Sequence, residues 1–423
     1  ETTALVPAST LKLTTTGAAV EVLGPTFEHE TRVFARGKIE GDVLQGDIVI
    51  RGSGDPTISR RFDGDSPLDE WAAMIGKRVR RVKGDVVADD RAFERLAVHP
   101  EWNVHDLEES YGAEVSALSL NDDCVEVETR AEGSAVRARV IPETSFIRLD
   151  VRATVTATGD HRISYVRDLS GDENVIRVEG AVRSKASPFS ASVPVRGPAL
   201  FFATVLKERL AAAGIAVDGR VRLAAPDEPE PTGETLFRRR SPLARTLAVC
   251  NKRSQNFYAE CLCKTVGRAA SGEGSWAAGG RAVEAVLDKL GVPGAERRVH
   301  DGSGLSREDR LSARALVTVL EKVAAGPRGE ILRASLSVAG EDGTLEKRLK
   351  GLPPGVVVRG KTGTMHGVSS LAGLIEIERD GNTRDSIAFA MIVNGTRGAA
   401  TARAAQDELV RAIVRSRTPS RRP

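Results

Sequence analysis

Aromatic side chains are scarce in this 423-residue chain, where 11 Phe, 3 Trp and 3 Tyr make up only 4% of the whole. Proteins that grip single-stranded nucleic acid need such rings as stacking platforms, so that class is poorly served here. An excess of charge of one sign is lacking too. Lys and Arg number 61 against 58 Asp and Glu, a formal net charge of +3, which offers no one-sided basic surface for a phosphate backbone. No nucleic-acid partner is expected. Apolar runs of about 18 residues are absent, which excludes a membrane-spanning helix within the sequence. The first residues also lack the charged, apolar and small-residue succession of a secretory signal. Four cysteines, Cys124, Cys250, Cys261 and Cys263, are too few and too irregularly spaced for a disulfide framework or a paired zinc site, and read as buried thiols. The histidines, His29, His99, His105, His161, His300 and His366, show no HExxH or other metal spacing, so no metal is expected. No G-x-G-x-x-G occurs, and Gly52-Ser53-Gly54-Asp55-Pro56 reads as a tight turn because Asp55 would repel phosphate. No cofactor is expected.

What is present is a globular composition, 41% hydrophobic and 28% charged, with length for about three domains or one large domain carrying insertions. From Thr31 to Ser59 short apolar runs alternate with turn residues, and the same strand texture returns at 124–127, 135–141, 146–156 and 174–182. Pro198 to Ala213 has helical spacing and stops at Gly214. The stretch 224–233, with Pro226, Pro229, Pro231 and Gly233, reads as a loop or linker. Beyond it, helical patterns at 242–249, 254–266, 275–290 and 312–324 give way to strand-like runs at 355–359, 369–376 and 387–394, then a last helix at 400–414. The residues 416–423 read as a frayed tail.

Three short elements carry chemistry. Pro7-Ala8-Ser9-Thr10-Leu11-Lys12 sets a hydroxyl and an amine three residues apart, which on a helix share one face roughly 5–6 Å apart at Cβ. A lysine can take a serine's proton only when burial or a second cation has lowered its pKa. Ser254-Gln255-Asn256 sets a hydroxyl and a carboxamide before a helical pattern, suited to proton relay and to holding an amide, although Ser254 could equally cap the helix. The third element is Lys361-Thr362-Gly363-Thr364. Gly355 to Thr362 is a literal G-x-x-x-x-G-K-[ST] match, but three consecutive valines fill what should be a flexible loop and Gly363 and Gly367 interrupt what should be a helix. An edge strand is expected instead, with Lys361 as fixed positive charge and Gly363 letting a ligand lie against the backbone. His300, Asp301 and Ser303 invite a catalytic triad, but neighbours in sequence do not normally bring both side chains to one hydroxyl and no G-x-S-x-G elbow is present, so a turn is expected there.

In the order Ser-x-x-Lys, Ser-x-Asn, Lys-Thr-Gly the three elements match the active-site serine set of β-lactamases and penicillin-binding proteins. The chain resembles the D-alanyl-D-alanine carboxypeptidase/endopeptidase family, the class C low-molecular-mass penicillin-binding proteins. Further stretches carrying the resemblance include Gly52-Ser53-Gly54-Asp55-Pro56-Thr57, Asp301-Gly302-Ser303-Gly304-Leu305-Ser306, Gly340-Glu341-Asp342-Gly343-Thr344-Leu345 and Ser370-Leu371-Ala372-Gly373. The gap from Ser9 to Ser254 is more than twice that from Ser254 to Lys361, as insertions would make it. The resemblance implies a multidomain α/β (α+β) fold: a β-lactamase/transpeptidase-like catalytic domain at 1–32 and 236–423, interrupted by a β-rich domain at 33–110 and 215–235 and a second at 111–214. Relatives carry a signal peptide and the first strands of the catalytic sheet before the serine motif, so residues preceding Glu1 are expected to be missing or trimmed.

The implied activity is hydrolysis of the bond between two D-alanines in peptidoglycan stem peptides or cross-links, outside the cytoplasmic membrane, through an acyl-enzyme that β-lactams also form. In that scheme Ser9 attacks, Lys12 takes its proton with Lys361 helping to depress the Lys12 pKa, Ser254 passes the proton to the leaving amine and Asn256 holds the peptide amide. Backbone N–H groups of Ser9 and Thr364 form the oxyanion hole, and Lys361, Thr362 and Thr364 receive the terminal carboxylate beside Gly363. The rival expectations are a β-lactamase, which would deacylate rapidly, and a catalytically silent wall-binding protein. Neither the oligomeric state nor the balance of carboxypeptidase and endopeptidase activity is legible.

Overall fold

A computed structural model describes residues 1–64, 66–158, 162–168, 171, 174–379 and 383–417. His161 and the tail beyond Arg417 therefore lie outside the described residues. The chain forms two compact units. One comprises Glu1–Glu28, His99–Glu101 and the chain from Pro242 onward, and the other comprises His29–Val98 and Trp102–Ser241.

The first unit is built on an antiparallel sheet in the order Ser337–Val338, Val356–Met365, Val368–Arg379, Thr383–Asn394. Runs rich in Val, Ile and Leu form these strands, and Val358, Leu371, Ile375 and Phe389 share one apolar cluster with Val410 and Val414 of the C-terminal helix Ala399–Arg417. The helix Lys12–Leu23 is buried on nearly every side and packs against Asn256–Ser271 and Trp276–Lys289. Its three consecutive threonines tolerate burial because each hydroxyl donates to a carbonyl: Thr14 to Leu11, Thr15 to Gly302 and Thr16 to Lys12, at 2.7, 2.7 and 2.6 Å. The preceding segment is tied down as well. Leu5 and Leu311 exchange backbone hydrogen bonds, and the Asn394 carboxamide pairs with both polar groups of the Val6 backbone.

Within the same unit, His99–Glu101 packs on the loop 300–306. His99 Nε2 lies 3.1 Å from the His300 carbonyl oxygen, with its ring edge-on to Trp276, while Glu101 bonds His300 Nδ1 at 2.8 Å and accepts from the Ser306 hydroxyl.

The second unit carries the β-rich texture read from the sequence. Glu28–Glu40 and Val43–Arg51 pair antiparallel at the heart of a seven-stranded sheet. Two smaller sheets follow, of three strands around Cys124–Glu132 and of four around Val175–Arg183. The helix Pro198–Ala212 buries Phe201 and Phe202, and the Trp71 ring sits 5.5 Å from Phe202 and 4.6 Å from Phe237. The proline-rich stretch 224–233 is clamped rather than slack: Glu228 accepts from Arg222, Arg36 and the Ala225 backbone. Asp55 makes the expected turn by accepting from the Thr57 N–H and hydroxyl at 2.8 and 2.7 Å.

Candidate active site

Ser9 sits in a 3-10 turn, Ala8–Leu11, that runs directly into the Lys12–Leu23 helix. The turn is strained, since Ala8 adopts φ 48°, and it is held by the Pro7 carbonyl accepting from the Thr10 and Ser370 hydroxyls, both at 2.7 Å. Lys12, one turn on, is wholly buried, and its Nζ lies 3.0 Å from Ser9 Oγ, 2.8 Å from Asn256 Oδ1 and 2.8 Å from the Ser303 carbonyl oxygen. Burial lowers the Lys12 pKa, against the opposing pull of Cys250, Glu260, Asp301 and Asp309.

Ser254 stands in the short joint between the helices Leu243–Lys252 and Asn256–Ser271, with φ 57°. That left-handed turn lets Asn256 start the second helix, so the alternative of a Ser254 cap is not realised; the residue at the helix boundary is Gln255. Lys361 lies on the strand Val356–Met365, fully buried, and its Nζ donates to Ser254 Oγ and to the Thr362 carbonyl oxygen, both at 2.7 Å. Burial first, then the Lys12 charge, push the Lys361 amine well below the usual lysine range. Against the fixed positive charge expected of Lys361, its burial disfavours the charged form, and burial is also the largest cause of the lowering at Lys12.

The P-loop reading fails as expected, because Gly360 to Thr364 lie inside one strand. Pairing with Ser337–Val338 ends at Gly360, so from Lys361 onward that edge of the strand carries no partner strand among the described residues. Gly363 also has a packing reason to lack a side chain. A Cβ there would meet Ser370 Oγ at 2.2 Å, the Pro7 carbonyl oxygen at 2.8 Å and the Ser9 nitrogen at 3.0 Å. The room left by the missing side chain is occupied by the turn that carries Ser9.

Ser9, Ser254, Thr362 and Thr364 line one cleft of ≈ 450 Å³, together with Thr344, Lys347, Arg348 and Arg403. Arg403 donates to Thr364 Oγ1 at 3.2 Å, and Arg348 is paired with Asp407 at 2.6 Å. Sequence reasoning did not single out this cationic wall. Nothing marks Lys347 and Arg403 among the chain's 61 basic residues until the fold brings them to the cleft.

The His300-Asp301-Ser303 stretch is no triad. Asp301 accepts from the backbone N–H groups of Ser303, Gly304 and Ser306 at 3.0, 2.6 and 2.7 Å, which makes it the hub of a turn. The sequence reading also passed over Glu260, although its place four residues after Asn256 puts both on one face of a helix. All four cysteines are buried and free.

The description of the D-Ala-D-Ala carboxypeptidase 3 (S13) family matches residues 1–415. Over 417 residues the chain is 34% identical to the D-alanyl-D-alanine carboxypeptidase of Actinomadura sp. (strain R39), covering 94% of this chain and 74% of that one. It is 28% identical over 401 residues to a D-alanyl-D-alanine carboxypeptidase of Haemophilus influenzae, covering 93% and 81%. The crystal structure of penicillin binding protein 4 from H. influenzae superposes at a TM-score of 0.82 with 26% identity, across 98% of this chain and 92% of that one. The same protein complexed with a novel β-lactam gives 0.76 and 25%. The fold is thus the multidomain α/β transpeptidase type that the resemblance implied. Read with two serines of one cleft, each hydrogen-bonded by a buried lysine, these matches place the chain in the D-Ala-D-Ala carboxypeptidase 3 (S13) family.

Proposed function

We propose that Ser9 is the acylated nucleophile of this chain, a serine-type D-Ala-D-Ala carboxypeptidase. The observation that carries the assignment is the 3.0 Å approach of Ser9 Oγ to the buried Lys12 amine. In the neutral form that burial favours, Lys12 takes the Ser9 proton as Oγ bonds to the carbonyl carbon between two D-alanines. The negative charge moves to the carbonyl oxygen, where the backbone N–H groups of Ser9 and Thr364 receive it, each contributing roughly 3 kcal/mol. The C–N bond then breaks, and the leaving amine takes a proton from Ser254, which is made good by the proton Lys12 had taken from Ser9, so that Lys12 is neutral again; Lys361, 2.7 Å from Ser254 Oγ, orients that hydroxyl. Asn256 serves twice, holding Lys12 and presenting a carboxamide to the substrate amide. Neutral Lys12 then takes a proton from water as the water oxygen bonds to the ester carbonyl carbon, the Oγ–C bond breaks, Ser9 Oγ takes that proton back from Lys12, and the shortened peptide leaves as a carboxylic acid that ionises in solvent.

Thr362, Thr364 and Lys361 would take the terminal carboxylate, with Gly363 holding the strand against the Ser9 turn. The substrates are peptidoglycan stem peptides, with cross-links as a second substrate, and β-lactams acylate the same hydroxyl. The protein works in the periplasm or at the cell wall; no helix among the described residues is long and apolar enough to cross a membrane. The division of the inserted region into 33–110 with 215–235 and 111–214 belongs to the same proposal.

Intact mass after incubation with a penicillin tests it. The parent should gain one penicillin and Ser9→Ala none; a gain persisting in Ser9→Ala would refute the nucleophile. Rapid loss of the adduct from the parent would favour a β-lactamase.

A further inference from the structure

Behind Lys12 lies a group of buried acids that the mechanism above leaves unused. Glu260, Asp301 and Asp309 are all fully buried. Glu260 Oε2 accepts from Trp276 Nε1 and from the Gly302 N–H, both at 2.8 Å. The peptide it holds is pressed so closely on its own helix that a Cβ at Gly302 would stand 2.3 Å from the Ala259 carbonyl oxygen. The Gly302 carbonyl accepts from Thr15, and the next carbonyl, that of Ser303, accepts from Lys12 Nζ at 2.8 Å. One carboxyl group therefore fixes the backbone that cradles the amine.

We propose that Glu260 is a positioning residue for Lys12: its buried carboxyl holds the Gly302–Ser303 backbone against the amine and, by its own charge, sets how readily that amine gives up a proton. The proposal rests on Lys12 being the base. The Asp301 charge and hydrogen bonds from Ser303, Gly302 and Trp276 act on Glu260, and its charge acts in turn on Lys12, Cys250, Cys263 and Asp309, with Lys264 beside Cys263 and with His99 and His300 flanking the loop. Lys361 faces Lys12 from the strand. Burial first, then the Asp301 charge, push Glu260 up to about 7. Asp309 is pushed well above the usual carboxylate range by burial first and then by the Asp301 charge. Glu260 thus changes charge within the working range, and its anionic form raises the Lys12 pKa.

The sign follows. As pH rises through about 7, Glu260 becomes anionic and makes Lys12 hold its proton longer, so the rise of the acylation rate with pH is drawn out over two coupled titrations. Glu260→Gln keeps an acceptor for both N–H donors and deletes the charge. The second-order rate of acylation by a penicillin, followed across pH on the full chain, tests this. Glu260→Gln should rise as a single titration and run roughly three- to ten-fold faster than the parent on the part of the limb above the Glu260 midpoint, because the anion that raises the Lys12 pKa is gone. Trp276→Phe removes one donor to the anion and should move the break in the profile to higher pH; it decides the matter alone if Glu260→Gln does not fold. Superimposable profiles, or a uniform loss at every pH such as a packing role gives, would overturn the proposal. Acylation of Ser9→Ala would instead sink the nucleophile assignment, so the two failures are distinguishable.

Discussion

At the scale of single residues, the site depends on keeping two amines dry. Lys12 and Lys361 each use a long aliphatic stem to reach a hydroxyl from a fully buried position, and burial alone disfavours their charged forms. Lys12→Ala removes the proton acceptor while leaving Ser9 on its strained turn, and should slow acylation by a penicillin about 10²–10⁴-fold with a cooperative thermal transition retained, as stopped-flow rates and calorimetry would register. The residue types and their spacing were readable in the sequence because Ser-x-x-Lys is a local geometry. Burial is not local. It takes the folded chain to bury Lys361, which is why the sequence left that residue as a fixed positive charge. Glu260 escaped notice for a related reason, since a glutamate on a helix reads as solvent-facing until the Trp276 and Gly302 N–H groups are seen to converge on it.

At the scale of elements, the strand Val356–Met365 and the Ser9 turn are fitted together at Gly363. A methyl group there collides with the backbone of Pro7 and Ser9, and a turn already strained at Ala8 has little freedom to retreat. Gly363→Ala should cost about 1–3 kcal/mol in denaturant titrations, and acylation should fall at least about tenfold because the Ser9 N–H shifts with the turn. Strand and helix positions were largely legible, as the runs at 369–376 and 387–394 fall inside Val368–Arg379 and Thr383–Asn394. The triple valine also decided correctly against a phosphate loop. The purpose of Gly363 was not legible, because the backbone it makes room for lies over 350 positions away in the chain, at Pro7.

At the scale of the whole molecule, ion pairs hold down stretches that the sequence leaves loose. In the unit His29–Val98 with Trp102–Ser241, carboxylate–guanidinium contacts pin the 224–233 stretch, where hydrogen bonding by Arg222, the Ala225 backbone and Arg36 holds Glu228 well below the usual carboxylate range. A depressed carboxyl contributes stability above its unfolded-state value and loses that contribution as pH falls through the folded one. Glu228→Gln should therefore lower the melting temperature at neutral pH, and the difference from the parent should shrink on acidification; an equal difference at every pH would contradict the ionic clamp. The sequence marked this stretch as a linker from its prolines, and the acid that pins it gave no local sign. The contribution of His99–Glu101 to the first unit has a practical corollary for anyone wishing to trim the protein. Joining residue 28 to residue 242 looks like a clean excision, yet it discards the imidazole that abuts Trp276 and the carboxylate that fastens His300 and Ser306. A minimal enzyme would have to graft a stand-in for that tripeptide, or accept a loosened wall beneath its own base.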